Sequence, residues 1–257
     1  MEIKKMIKKH LLTCSVMLVL AIIFTLNICS TTVMKPAKES HLISRFIFTN
    51  NDAAPDYSFA NEALPVHDAS VNRKMRHSLM QHTYRTVQSN ILHIKAEKLF
   101  PIIEPILRLY GIPDDFKYLP LVESGLNEGT SPKGAAGLWQ FMPGTARTYG
   151  LKVNKGLDER MNIQKSTIAA CKYIKELYGE FNSWTLAAAA YNNGSIKLAK
   201  AMHKQSEGNY FHMHLNQETG TYVYNLVAMK EIIAKPARYG YGTLYTMVAP
   251  KQLLAYN

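Results

Sequence analysis

Residues 123–146 read ESGLNEGTSPKGAAGLWQFMPGTA. Glu123 arrives after the apolar residues Leu119, Leu121 and Val122 and is followed almost at once by Gly125, so the chain turns abruptly from apolar to permissive around a carboxyl. Such a carboxyl is expected to be partly desolvated, and desolvation raises its pKa toward the range in which a general acid works near neutral pH. Downstream, Gly134, Ala135, Ala136, Gly137 and Gly144 are small enough to let backbone approach a ligand or a neighbouring helix closely. Trp139 and Gln140 then set an aromatic ring beside a two-way hydrogen-bonding amide, a common wall for sugars, whose faces are apolar and whose edges carry hydroxyls. Composition alone favours a blander assignment, with Trp139 in the core and Gln140 in a turn.

Upstream, Pro113-Asp114-Asp115 opens a helix, since proline is tolerated in a first turn and acidic side chains complement its positive end. Pro120 lies inside that helix and removes a backbone hydrogen bond, which predicts a kink or an early break. Either way Glu123 sits near a helix C-terminus, where the dipole disfavours negative charge. Between Val71 and Tyr110 apolar residues recur at helical spacing, with Leu99, Ile102, Ile103, Ile106 and Leu107 on one face that ends at Gly111. Further on, Ile168, Cys171, Ile174, Leu177 and Tyr178 form one stripe, and Tyr222, Leu226, Met229 and Ile233 form another. Between them Trp184 to Tyr191 is alanine-rich and stops at Asn192-Asn193-Gly194. No stretch alternates convincingly with period two, so the expected fold class is mainly α.

The chain opens with MEIKKMIKKHLLTCSVMLVLAIIFTLNICS, a lysine-rich stretch before an uncharged apolar run from Leu11 to Cys29. This reads as a secretion signal or a membrane anchor. The run exceeds the roughly 7–15 residues of a signal core and approaches the roughly 20 that span a bilayer, which leaves cleavage open. Cys29 with Leu26 three before it fits a bacterial lipoprotein site, whereas Asn27 and Ile28 do not, so lipidation ranks behind simple export or anchoring. The expected organisation is a signal or anchor over 1–30, a spacer over 31–70 marked by Pro36, Pro55 and Pro65, a helical domain over 71–240 and a tail over 241–257. The expected location is the cell envelope, in the periplasm or held at the cytoplasmic or outer membrane by the N-terminal segment. Beyond the signal only Cys171 remains, which excludes an internal disulfide in a mature monomer and reads as a buried apolar residue.

With 257 residues and 47% hydrophobic content, the chain is long enough for a full domain with a sizeable core. The formal net charge is +11; without residues 1–29, which hold four lysines and Glu2, about +8 remains. Such an excess suits nucleic acid, anionic lipid or an anionic polymer, but the cations are scattered and no nucleic-acid-reading motif is present, so nucleic acid is not the expected partner. Nine histidines are dispersed, and His203, His212 and His214 lack a metal-ligand pattern. No metal, cofactor, phosphate-binding loop or nucleophile elbow is expected. Asp158-Glu159-Arg160 reads as a surface turn in which the arginine partners an acid.

Four blocks, YLPLVESGLN, SPKGAAGLWQFMPGTARTYGL, AAAAYNNG and ETGTYVYNLVAMKEI, are similar in order and spacing to the lysozyme-like catalytic domain of bacterial lytic transglycosylases, particularly the membrane-bound murein transglycosylase D branch. The resemblance covers roughly residues 70 to 240. It implies a lysozyme-like helical fold and an enzyme that cleaves the MurNAc–GlcNAc bond of peptidoglycan glycan strands, leaving 1,6-anhydro-MurNAc ends. It also implies that Glu123 is the catalytic acid, that Ser131 lies close to its carboxyl, and that Gln140, Tyr191, Glu218 and Tyr222 line the cleft. Trp139 stands where many relatives carry methionine, so the wall of that subsite is expected to differ, and Asn193 replaces the second alanine of the A-Y-N-A-G motif. No second acid in these motifs has an obvious claim to the role of base or nucleophile. A hydrolytic lysozyme acting at the same bond remains an alternative, as does an inactive wall-binding protein, although the retention of all these residues speaks against the latter.

Overall fold

The computed structural model describes residues 56–126 and 129–241. The Leu11–Cys29 run lies outside the described residues, together with the signal, anchor and lipid-site readings that rest on it, and so do 31–55 and 242–257. Among the described residues no helix is long and apolar enough to cross a membrane.

The described chain begins with a hairpin, β1 (Ser58–Phe59) and β2 (Glu62–Ala63), antiparallel with Ser58 opposite Ala63 and Phe59 opposite Glu62. Helices follow in the order α1 (Ala69–Gln81), α2 (Tyr84–Val87), α3 (Ile91–Tyr110), a 3₁₀ turn (Asp114–Tyr118), α4 (Leu119–Ser124) and α5 (Pro143–Thr148). A second 3₁₀ turn (Glu159–Met161) leads to α6 (Ile163–Phe181), α7 (Trp184–Asn193), α8 (Ser195–Gln205), α9 (Gln217–Ala234) and a last 3₁₀ turn (Pro236–Tyr239). The fold is mainly α.

Helix α7 is the axis. Ala187, Ala188, Ala189 and Ala190 are all fully buried, and side chains of one carbon let α6 and α9 pack closely against the same short helix. Helix α6 also packs on α3, and α9 also packs on α1 and α4. Cys171, Ile174 and Leu177 of α6 and Tyr222, Leu226 and Met229 of α9 are buried, as their spacing predicts, while Ile168, Tyr178 and Ile233 lie at half-exposed edges. The helical periodicity over 71–110 is divided among three helices, with Gln88 in the left-handed region (φ 50°) at the end of the second. Helix α3 stops at Gly111 (φ 68°), and the Ile112 N–H closes its end on the Leu107 carbonyl at 2.9 Å. At Pro120 the structure takes the early break: the chain runs as 3₁₀ to Tyr118 and restarts, placing the proline in the first turn of α4, where its missing N–H has no partner to lose.

Two boundaries differ from the sequence reading. The spacer assigned to 31–70 ends sooner, because Tyr57, Phe59, Leu64 and Val66 are buried in the domain and α1 begins at Ala69. Phe59 meets Phe116 edge-on at 5.0 Å, and Phe116 meets Trp184 at 5.5 Å. Asp115 accepts hydrogen bonds from the Ala60 N–H and from Lys230 Nζ, each at 2.7 Å. Glu62 reaches the N-terminus of α7 and accepts from Ser183 Oγ, the Trp184 N–H and the Thr185 N–H at 2.8, 2.6 and 2.9 Å. At the other boundary Tyr241, assigned to the tail, is buried, and its hydroxyl donates to the His82 carbonyl at 2.6 Å.

Glu62 thus caps the central helix from a segment that composition marks as linker. Glu62→Ala is expected to lower stability by about 1–3 kcal/mol, since it strips an ionised acceptor from three donors. Denaturant unfolding at neutral pH measures this, and a change below about 0.5 kcal/mol would mean that the cap contributes little.

Candidate active site

Glu123 is the penultimate residue of α4, which ends where Gly125 (φ 59°) and Leu126 (φ 58°) both turn left-handed. The Gly125 N–H closes on the Leu121 carbonyl and the Leu126 N–H on the Pro120 carbonyl. Leu119 and Leu121 are buried, so the carboxyl approaches its position through apolar packing. The Tyr222 hydroxyl, presented by α9 and buried itself, donates to Glu123 Oε1. Burial pushes the Glu123 pKa up to about 7; the Tyr222 hydrogen bond opposes that rise and the charge of Glu218 adds to it. Burial, reinforced by the Glu123 charge, holds the phenols of Tyr191 and Tyr222 well above their ordinary range, so both remain O–H donors.

The chain from 129 to 142 folds on itself, with Ala136 bridged to both Thr130 and Phe141. The Ser131 N–H donates to the Ala135 carbonyl at 2.7 Å, and Ser131 Oγ accepts from the Ala135 N–H at 3.1 Å. Gln140 is itself left-handed (φ 48°) and its Nε2 donates to the Gly137 and Gly129 carbonyls at 2.9 and 3.3 Å. Gly137 (φ 74°) lies so close to the second 3₁₀ turn that a Cβ would fall 2.0 Å from the Arg160 carbonyl oxygen, which only glycine accommodates. Arg160, 6% exposed, donates from Nη1 to the Gly134 and Phe141 carbonyls at 2.7 and 2.9 Å, and from Nε and Nη2 to the two oxygens of Asp158. The expected Asp158–Arg160 pair is present, but the expected surface turn is not: Glu159 and Arg160 are buried, because the guanidinium enters the loop.

Trp139 is not a cleft wall. It is fully buried, its Nε1 donates to Thr167 Oγ1 of α6 at 2.9 Å, and its carbonyl accepts from the Tyr191 hydroxyl at 2.8 Å. Half-buried tyrosine rings continue from Tyr191 through Tyr173 to Tyr149, with centroids 5.2 and 4.9 Å apart. Ser124 Oγ lies 3.0 Å from both the Pro120 and Leu138 carbonyls and joins α4 to the loop.

Of the residues singled out in the sequence, Glu123 and Tyr222 are brought into direct contact and Glu218 acts on the same carboxyl through its charge. Glu218 stands in the first turn of α9 and accepts from Asn192 Nδ2 at 2.9 Å; Asn192 Oδ1 in turn accepts from Thr219 Oγ1 at 3.0 Å. Tyr191, Ser131 and Gln140 bond to loop backbone. The sequence reading missed Asn192, although its place beside Tyr191 at a helix end was a usable signal. It also missed Arg160, whose setting in an acidic turn gave none. His212 and His214 lie in a loop, with His212 3.7 Å from Glu207.

The two neighbours of Glu123 act on it in opposite directions, and substitutions should separate them. Tyr222→Phe is expected to raise the Glu123 pKa above about 7 and Glu218→Gln to lower it. Carboxyl-carbon NMR titration of each variant reads both shifts, and movement in the same direction would contradict this account.

The transglycosylase SLT domain family matches residues 101–213. Membrane-bound lytic murein transglycosylase D of Escherichia coli is 30% identical over 208 residues, which is 77% of this chain and 45% of that protein. Peptidoglycan transglycosylase gp16 of Escherichia phage T7 is 34% identical over 100 residues, or 38% of this chain and 7% of that one. Among solved structures, the 70 kDa soluble lytic transglycosylase of Escherichia coli aligns over 63% of this chain and 29% of its own, with 19% identity and a TM-score of 0.47. The chain therefore spans less than half the length of the curated relatives named here. Residues 101–213, the stretch that the transglycosylase SLT domain family matches, take in Glu123, the folded loop and Tyr191.

Proposed function

We propose that the chain is a lytic transglycosylase that cleaves peptidoglycan glycan strands between MurNAc and GlcNAc, with Glu123 as the only catalytic carboxylate. The observation that carries this reading is the state of that carboxyl: its pKa is about 7, and Tyr222 already occupies Oε1. The proton is then held on Oε2, free to be given to the glycosidic oxygen. As the bond breaks, the oxocarbenium-like sugar is stabilised by cleft dipoles or by its own acetamido group. Ionised Glu123 next takes the proton of the muramyl C6 hydroxyl, and that oxygen closes on C1 to give a 1,6-anhydro ring. The attack is intramolecular, and effective molarities of roughly 10⁵–10⁸ M in well-oriented cases make a separate base or nucleophile unnecessary. Two-carboxylate glycosidases need the second group because their nucleophile is water or the enzyme. Glu218 is engaged with Asn192.

The remaining site residues support the same cleft. Tyr191, Glu218 and Tyr222 surround the acid, Ser131 and Gln140 shape the loop opposite it, and the row of tyrosine rings offers apolar faces to sugars. The names of the similar proteins, and the apolar run from Leu11 to Cys29, support an envelope location with the domain outside the cytoplasmic membrane.

Digestion of purified sacculi is expected to release muropeptides with anhydro ends, identified by mass spectrometry; reducing ends as the main product would make the protein a lysozyme. Glu123→Gln keeps an acceptor for Tyr222 and should remain folded while losing at least about 10³-fold in activity. Full activity in that variant would overturn the assignment. A C-terminal reporter that works only after export is expected to be active, and an intact but silent fusion would exclude the envelope location.

A further inference from the structure

The N-terminus of α7 borders a cavity of about 380 Å³ that shares no residue with the site around Glu123. Its floor is buried, with Thr185 and Leu186 from the helix and Tyr210 and Phe211 from the segment that leads into α9. At its rim Ala63, Gly208 and Asn209 are exposed. Thr185 and Asn192 are seven residues apart on α7, so the cavity lies about 10 Å along the helix axis from the Asn192–Glu218 contact.

Hydrogen bonds within the protein already fix the walls. Glu62 is held by Ser183 Oγ and by the Trp184 and Thr185 N–H groups. The Asn209 N–H donates to Glu207 Oε1 at 2.7 Å, and Asn209 Oδ1 accepts from the Phe211 N–H at 3.0 Å. The Tyr210 hydroxyl donates to the Thr219 carbonyl at 2.6 Å, and its ring meets Phe211 edge-on at 5.2 Å. Two polar groups are left over. Asn209 keeps Nδ2 as a donor at the rim, and Thr185 Oγ1, in a residue 4% exposed, makes no hydrogen bond among the described residues. A buried hydroxyl without a partner is destabilising, and a ligand group that meets it removes the penalty.

The lining also selects the class of ligand. Glu62 lines the cavity and no Lys, Arg or His does, which disfavours anions. The Glu62 carboxylate already receives three hydrogen bonds at the positive end of α7, so it does not call for a cation. A neutral molecule with hydroxyls or amides on its edge fits best, provided that it has an apolar face to set against Pro65, Leu186 and the Phe211 ring. A sugar ring has both, and the volume falls at the small end of the roughly 300–1,000 Å³ of ligand sites.

We propose that this cavity binds a neutral sugar unit, with Asn209 Nδ2 and Thr185 Oγ1 bonded to its edge and Pro65 and Phe211 against its face. That the sugar belongs to a glycan strand rests on the function proposed above. The strand is then held at two places, one that reacts and one that only binds.

The test is photo-crosslinking of the full chain in detergent, carrying Glu123→Gln, with a diazirine-bearing tetrasaccharide of N-acetylglucosamine, the labelled peptides being mapped by mass spectrometry. Labelling is expected in two regions, around Glu123 and at residues 207–211. Asn209→Asp keeps the acceptor for the Phe211 N–H and removes the donor, and Thr185→Val replaces an unpartnered hydroxyl with a methyl group of the same shape. Each should weaken labelling at 207–211 about threefold to tenfold, leave labelling around Glu123 unchanged and keep the unfolding midpoint. Labelling around Glu123 alone overturns the cavity and leaves the proposed function standing, and so does undiminished labelling at 207–211 in both variants. Labelling at 207–211 alone supports the cavity and counts against the cleft, and labelling at neither overturns both.

Discussion

A guanidinium taken out of water holds the loop on which the site depends. Arg160 satisfies four N–H donors at once, two on Asp158 and two on carbonyls from opposite ends of residues 134–141. A buried charge left partly unpaired costs several kcal/mol, so the loop and the 3₁₀ turn carrying Arg160 must form together. Gly137 is the steric side of the same constraint, since its backbone rests where any side chain would strike the Arg160 carbonyl. With the loop fixed, Trp139 can be buried against Thr167 and its carbonyl turned to Tyr191.

The position of the acid follows from helix geometry more than from the loop. Helix α4 is short because 3₁₀ backbone precedes it and left-handed residues follow it, and that shortness sets Glu123 at a helix end among buried leucines. Helix α9 then brings Tyr222 to Oε1 and Glu218 close enough to act through charge. Because α7 is lined with alanines, α6 and α9 can approach it from two sides, which places Tyr191 and Tyr222 around one carboxyl.

Much of this was legible in the sequence where a single local signal sufficed. The helix stops at Gly111 and Gly194, the apolar stripes of α6 and α9, and the apolar approach to Glu123 were read from spacing, and all are present. The hairpin was not legible: its turn places Ala60 and Asn61 at φ 51° and 65°, a conformation usually signalled by Asn-Gly or Asp-Gly. Glu62 likewise gives no local sign that it caps a helix 121 residues later. Trp139 offered two readings: beside Gln140 it resembles a sugar platform, while composition favours the core, and burial with a hydrogen bond to Thr167 places it in the core. The resemblance named Ser131 and Gln140 but could not show that both bond to their own loop.

The raised pKa of Glu123 also has a thermodynamic side. The folded protein keeps a proton up to about pH 7, whereas the unfolded chain releases it near the ordinary value of 4.5. Between those limits the native state binds more protons, so its stability is greatest below the unfolded pKa and declines as pH rises through the folded one. The full difference is on the order of 3 kcal/mol, a sizeable share of a domain's margin. Above neutrality the native state must therefore accommodate an ionised carboxylate among buried leucines, and the group that makes the protein an acid catalyst also makes it sensitive to alkali.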